Sequence, residues 1–202
     1  MYEVNCYLVW DELSGDGLII DPGDEDELIS ERIEALAFKP RAILLTHGHG
    51  DHIGAVKALK ERYRVPFYIG RDDNPMLASP TDNLSALVGR DLVCPPADHL
   101  LDDGQAVTIG PLKFIVSHTP GHTPGGVCYL AGKHLFCGDT LFKGSIGRTD
   151  LPGGSHEQLL DAIDRKLLTL PDEIICYPGH GPVTSIGEER RSNPFLSGRR
   201  FV

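Results

Sequence analysis

Between positions 42 and 56 the chain reads AILLTHGHGDHIGAV, with His47, His49, Asp51 and His52 in six positions directly after an apolar run. Nine His and eighteen Asp in 202 residues would give roughly 0.002 copies of H-x-H-x-D-H by chance, so the spacing itself is a signal. In an extended segment the side chains at i and i+2 point the same way, so His47 and His49 can grip one ion. A helix starting near Asp51 would swing Asp51 and His52 to a neighbouring point, far enough for a second ion. Neutral imidazoles and a carboxylate suit zinc, and also iron or manganese. The run "RAILLT" ends where open α/β sheets carry their ligands.

Four ligands do not complete two sites. Three further segments share one pattern, a strand followed by a polar ligand beside glycine: His122 in HTPGHTPGG, Asp139 in LFCGDTLF and His180 in CYPGHGP. Glycine lets backbone approach a metal with no side chain in the way. His99, His134 and His156 read as ordinary surface or hydrogen-bonded residues, and His118 as the end of a strand.

Elements able to position these groups alternate along the chain. CYLVW and GLIID read as strands around the turn DELSGD. DEDELISERIEALAFK is a helix behind the N-cap candidate Asp24, with Leu28, Ile29, Ile33 and Leu36 at helical spacing. RAILLT is a strand buried on both faces, HIGAVKALKERY a helix and VPFYIG a strand. Residues 72–104 are irregular and rich in Pro and Asp. Then come the paired strands AVTIG with LKFIVSH and VCYLA with HLFCG. SHEQLLDAIDRKLLTL is a helix with Ser155 and Gln158 as a capping box, EIICYP a last strand, and a short helix follows near Glu188. No repeat or linker divides the chain, which reads as one domain over residues 1–202.

A net charge of −10 disfavours nonspecific binding to nucleic acid or an anionic membrane. The basic runs LKERYR and EERRSNPFLSGRRF interleave acids and read as solvated faces. No stretch reaches the length of a membrane span, and MYEVNCYLVW lacks the features of a signal peptide. Cys6, Cys94, Cys128, Cys137 and Cys176 show no CxxC spacing, which argues for a reducing compartment, by default the cytoplasm.

Nearly end to end, through NCYLV, IIDPG, LTHGHGDHIGAV, TPGHTPGG, LFCGDTLF, GRTDLPGG and YPGHGP, the sequence resembles the metallo-β-lactamase superfamily, and within it the glyoxalase II-like branch. The resemblance implies a four-layer αββα sandwich with a dinuclear site on its rim. It implies that His47, His49 and His122 hold one metal, that Asp51, His52 and His180 hold the other, and that Asp139 bridges them. Asp21 of IIDPG would orient a ligand imidazole. It also sets aside two branches. Metallo-β-lactamases proper are exported and usually carry cysteine at the place of Asp139, and the RNA-processing members are longer. True glyoxalase II enzymes continue into a helical domain that holds glutathione, whereas this chain ends about twenty residues after His180. Many relatives also have one more strand before NCYLV.

Seven ligands sharing a carboxylate would place two divalent ions about 3.5–4 Å apart, with a hydroxide between them as nucleophile at neutral pH. Zinc is the first choice, with iron and manganese as alternatives. A thioester suits such a centre, because its thiolate leaves without a strong acid, and Asp51 could accept the proton of the bridging water. The leading expectation is therefore hydrolysis of a thioester such as S-lactoylglutathione. The rival is a persulfide dioxygenase, which shares the fold and the GRTD run but oxidises glutathione persulfide at a single iron. A structural metal site without turnover fits less well, since a closed zinc site needs only four ligands. In the loop LFKGSIGRTDLPGG, Arg148 and Lys143 are the cations nearest Asp139 and are candidates for a substrate's carboxylates. An internal Arg148–Asp150 pairing competes with that role. One wall of the cleft must come from residues 72–104, from the C-terminal tail or from a partner subunit in a homodimer. Segment 72–104 is expected to be a mobile lid, giving broad specificity.

Overall fold

Apolar residues occupy both faces of the central strands, so one strand can feed two cores at once. The structure is a computed structural model that describes residues 3–196. Its first sheet runs β1 (Tyr7–Trp10), β2 (Asp16–Ile20), β3 (Lys39–Leu44), β4 (Phe67–Gly70) and β5 (His99–Leu101). Only the β1–β2 pairing is antiparallel. Helices α1 (Asp26–Leu36), α2 (Gly50–Ile53) and α3 (Val56–Tyr63) fall between these strands. The second half supplies β6 (Ala106–Ile109), β7 (Leu112–His118), β8 (Val127–Ala131) and β9 (His134–Gly138), then the hairpin β10 (Leu141–Phe142) and β11 (Ser145–Ile146). After α4 (His156–Ala162) come β12 (Ile175–Pro178), β13 (Thr184–Ser185) and α5 (Ile186–Ser192). The second sheet has the spatial order β13-β12-β9-β8-β7-β6, with β12 parallel to β9.

Strand alternation sorts the core into three layers. Leu18, Ile20, Leu44, Val116, Val127, Tyr129 and Phe136 fill the space between the sheets. Their neighbours Ile19, Ile43 and Leu45 face the opposite way and meet Ile29 and Ile33 of α1 and Val56 and Leu59 of α3. On the second sheet Cys128, Leu135, Cys137 and Cys176 pack under Leu159 and Leu160 of α4 and Ile186 of α5. Helix, sheet, sheet, helix is the expected αββα order. Among the described residues no helix is long and apolar enough to cross a membrane.

Several local expectations need correction. Helix α1 starts two residues beyond Asp24, behind a left-handed Glu25 that makes no side-chain cap. Asp24 instead accepts from the backbone of Glu25 and from Arg90. Of its apolar positions only Ile29 and Ile33 are buried, while Leu28 and Leu36 are exposed. The helix expected over HIGAVKALKERY is interrupted at Gly54 and Ala55, because Ala55 N–H bonds to Pro22 O and a Cβ on Gly54 would lie 2.1 Å from Gly23 O. Only half of the capping box forms: Gln158 N–H donates to Ser155 Oγ, while Ser155 N–H goes to Gly121 O. The helix then loosens into a π turn over Ile163–Leu167. The basic runs do pair with acids, Lys60 with Asp98, Arg62 with Glu34, and Arg190 and Arg191 with Asp172. The end of the second run lies outside the described residues.

Segment 72–104 is not a loose lid. It holds two 3-10 turns, Arg71–Ala78 and Ser85–Val88, and the strand β5. Asp73, Asn83 and Ser85 are buried, and Gly50 N–H donates to Asn83 O at 2.7 Å. Broad specificity therefore does not follow from a mobile wall here.

The two sheets are also joined by polar contacts. Tyr129 Oη donates to Leu45 O at 2.6 Å, and Val127 N–H donates to Thr46 O at 2.8 Å. Tyr129→Phe would bury Leu45 O without its hydroxyl partner, and a loss of about 1–3 kcal/mol in unfolding free energy is expected. Urea denaturation checks this, and an unchanged midpoint would show that the bond contributes nothing.

Candidate metal centre

Every ligand candidate sits just past a strand end or in a tight turn on one rim. His47 and His49 follow β3, with His49 at the N-cap of α2. Asp51 and His52 lie within α2, His122 lies in the β7–β8 connection, and Asp139 and His180 follow β9 and β12. The side chains converge in three overlapping groups: His47, His49 and His122; His47, His52 and Asp139; Asp51, His52 and His180, each with ligand atoms within 4.8 Å. Asp139 lies between the two outer triads. Its Oδ2 is 3.5 Å from both His122 Nε2 and His180 Nε2, and its Oδ1 is 3.4 Å from His52 Nε2.

Local partners aim the rings. His122 Nδ1 donates to Arg148 O at 2.8 Å and His180 Nδ1 to Glu3 O at 2.7 Å, leaving both Nε2 atoms inward. Thr46 Oγ1 lies 3.1 Å from His47 Nδ1. Asp21 Oδ2 lies 3.1 Å from His52 Nδ1, while the Asp21 carboxylate accepts from Thr46 N–H and Thr46 Oγ1, each at 2.7 Å. This is where a carboxylate orienting a ligand imidazole should be. Glycine at two positions is a steric requirement. A Cβ on Gly179 would fall 2.2 Å from Asp139 Oδ1, and one on Gly147 would fall 1.8 Å from Asp139 O.

Electrostatics prepares the cluster for cations. Burial, followed by the charge of His52, holds His47 well below its ordinary range. Burial and His122 bring His49 down to about 3. Both rings are therefore neutral, with lone pairs to give. Burial opposes a charge on His52, but Asp21 and Asp139 outweigh it and lift the ring well above its usual value. Burial would raise Asp139, yet His52, His122 and His180 keep it below the ordinary carboxylate range. Nε2 of His47, His49 and His52 and Oδ1 of Asp139 are buried and have no hydrogen-bond partner. Bare, such atoms cost about 1–3 kcal/mol each, and the 3.4 Å ion pair of His52 Nε2 with Asp139 Oδ1 offsets that for only two of the four. Metal ions would satisfy all four at once, so the donor set fits a dinuclear site.

Other candidates fall elsewhere. Arg148 points its guanidinium at Asp150 in a two-pronged pair, 2.9 Å on each prong, while its carbonyl accepts from His122 Nδ1. Lys143 pairs with Glu188 at 3.2 Å. His99 stacks on Tyr68, His134 meets Tyr177 Oη, His156 begins α4, and His118 Nε2 reaches Pro124 O. Asp73 was missed: it follows the strand VPFYIG but stands three residues beyond Gly70, so the glycine-flanked pattern that revealed Asp139 does not mark it.

Two substitutions test the shared carboxylate. Asp139→Ala should leave at most one ion per chain by elemental analysis, and two tightly held ions would contradict the bridging position. Gly179→Ala should also lower metal content, because the new methyl occupies the space of Asp139 Oδ1 and His52. Wild-type metal content would show that the rim is pliable.

The model of the metallo-beta-lactamase superfamily matches residues 2–180. Hydroxyacylglutathione hydrolase GloC of Haemophilus influenzae is 39% identical over 206 residues, spanning 98% of this chain and 95% of GloC. Among solved structures, BLEG-1, described as a B3 metallo-beta-lactamase, superposes with a TM-score of 0.92 at 44% identity, covering 96% of this chain and 95% of that one. TTHA1623, solved in a di-iron-bound form, gives 0.86 at 41% identity, covering 96% of each chain. A match over most of the length, on a fold and a His/Asp rim of this kind, shows that the chain belongs to the metallo-beta-lactamase superfamily.

Proposed function

We propose that the chain is a metallo-hydrolase that cleaves a thioester such as S-lactoylglutathione, giving a carboxylic acid and a free thiol. One observation carries the reading: a single carboxylate, Asp139, faces both the His47–His49–His122 triad and the Asp51–His52–His180 triad. The likeness to GloC supports the choice of substrate class. Two divalent ions, zinc or iron, bound there would supply hydroxide at neutral pH and polarise the acyl oxygen.

The chain's own residues account for the rest. Burial would raise Asp51, but the hydrogen bond from His180 and the charges of His52 and His180 keep it ionised. Its side chain is about one-third exposed and lies 3.4 Å from His180 Nε2; so weak a base would relay the nucleophile's proton to solvent rather than keep it. A thiolate leaves without protonation, so no general acid is needed. Phe142 sets its ring 6.2 Å from that of His180, an apolar shoulder beside the second triad. A substrate carboxylate could use Arg148 or Lys143 only by competing with Asp150 or Glu188. Five free thiols are compatible with a reducing compartment such as the cytoplasm.

Persulfide oxidation at a single iron is the rival reading, supported by the GRTD run over residues 147–150, and the likeness to BLEG-1 adds β-lactam hydrolysis. Three assays on one metal-analysed sample separate them: thiol release from S-lactoylglutathione, oxygen uptake with glutathione persulfide, and opening of a chromogenic cephalosporin. Thioester cleavage should have the highest kcat/KM. A sample that consumes oxygen or opens the β-lactam faster overturns the proposal. Arg148→Ala should change kcat/KM equally for an anionic and a neutral thioester, because the guanidinium is already paired within its loop. A loss confined to the anionic substrate would restore the carboxylate-binding role.

A further inference from the structure

Asp73 is fully buried, lies outside the donor cluster, and belongs to a turn that carries no ligand candidate. Its carboxylate nevertheless takes three hydrogen bonds from the two loops that do carry them. Oδ2 accepts from Gly48 N–H at 3.0 Å and from Thr123 Oγ1 at 2.7 Å, and Oδ1 accepts from Gly125 N–H at 2.6 Å. Gly48 stands between His47 and His49, and Thr123 follows His122. The contact is close on both sides. A Cβ on Gly125 would lie 2.3 Å from Asp73 N, and one on Gly48 would lie 3.1 Å from Asp73 O.

We propose that Asp73 is a positioning residue for one of the two metal sites: its carboxylate clamps the His47–His49 loop to the His122 loop and so fixes the geometry of that triad. The inference rests on the metal reading of the cluster given above. It is selective, because none of Asp73's three donors lies in α2 or in the loop after β12, which bring Asp51, His52 and His180 together. Within the first triad the ligand-bearing side chains meet directly, with His49 Nδ1 3.0 Å from His122 Nε2, and a backbone bond from Val127 N–H to Thr46 O joins the flanks of the two loops. Two imidazoles in contact do not hold a preset separation, whereas three hydrogen bonds to one buried carboxylate do. Partners that orient ligands from outside a metal's own shell typically change affinity by about 10–100-fold when removed.

The test compares wild-type holoprotein with Asp73→Asn, which keeps the shape but replaces one acceptor oxygen by a donor, and with Thr123→Val, which removes a single bond. Zinc affinities are measured by competition with a chromogenic chelator, and imidazole 15N resonances identify the histidines released at each step. Asp73→Asn should weaken one ion by about 10–100-fold and free His49 and His122 first, with the second ion unchanged. Thr123→Val should give a smaller loss at the same ion. Equal weakening of both ions, with a lowered melting temperature of the metal-free protein, would show a merely structural role and overturn the inference. Unchanged affinities would overturn it as well. Should Asp73→Asn not fold, Thr123→Val decides by the same criterion. Fewer than two ions in the wild type would overturn the metal reading itself, and the inference with it.

Discussion

Buried donors without partners are the constraint on which the rest of this structure turns. Three imidazole nitrogens and a carboxylate oxygen face one another at the rim with no hydrogen bonds of their own. Polar atoms in that state are costly unless something satisfies them. The neighbouring structure holds them in place rather than relieving them. Asp21 adopts a left-handed backbone, φ 50, rare for a residue other than glycine. From there its carboxylate spans Thr46 and His52. Unpaired polarity gathered at one rim, beside the strained backbone of Asp21, is characteristic of a functional site rather than of a stability core.

Bringing the donors together requires both sheets. His47, His49, Asp51 and His52 come from the first half of the chain, and His122, Asp139 and His180 from the second. The halves are registered by Tyr129 on Leu45, Val127 on Thr46, and Asn5 on Gly179, each contact including a residue close to a ligand candidate. The apolar layer between the sheets supplies the adhesion, and these polar contacts supply the alignment. Asp73 adds a cross-brace from a segment that carries no ligand candidate.

The H-x-H-x-D-H spacing and the three glycine-flanked segments were legible because they are local. The ligand candidates follow strands, His47, His49, Asp51 and His52 the same one, β3, so reading the strands also located the candidates. The continuous apolar run RAILLT likewise disclosed a strand whose second half is buried on both faces. What stayed hidden depends on distant partners. Asp24 does not cap α1 because Arg90, 66 residues away, occupies its carboxylate. The break between α2 and α3 reflects the close approach of Gly54 to Gly23. Segment 72–104 looked loose because its turn formers outnumber its apolar residues, whereas its order comes from Asp73 and Asn83 bonding to chain far away in sequence. For Arg148 the sequence offered both a substrate carboxylate and Asp150, two residues on, and the structure shows the second pairing.

The central claim is that this rim holds two metal ions sharing one carboxylate. A crystal structure of the purified holoprotein, with anomalous difference maps on either side of the metal's absorption edge, tests it most directly. The account predicts two peaks about 3.5–4 Å apart, one among His47, His49 and His122, the other among Asp51, His52 and His180, with Asp139 touching both. A single peak, or two peaks with Asp139 bound to only one of them, would contradict it.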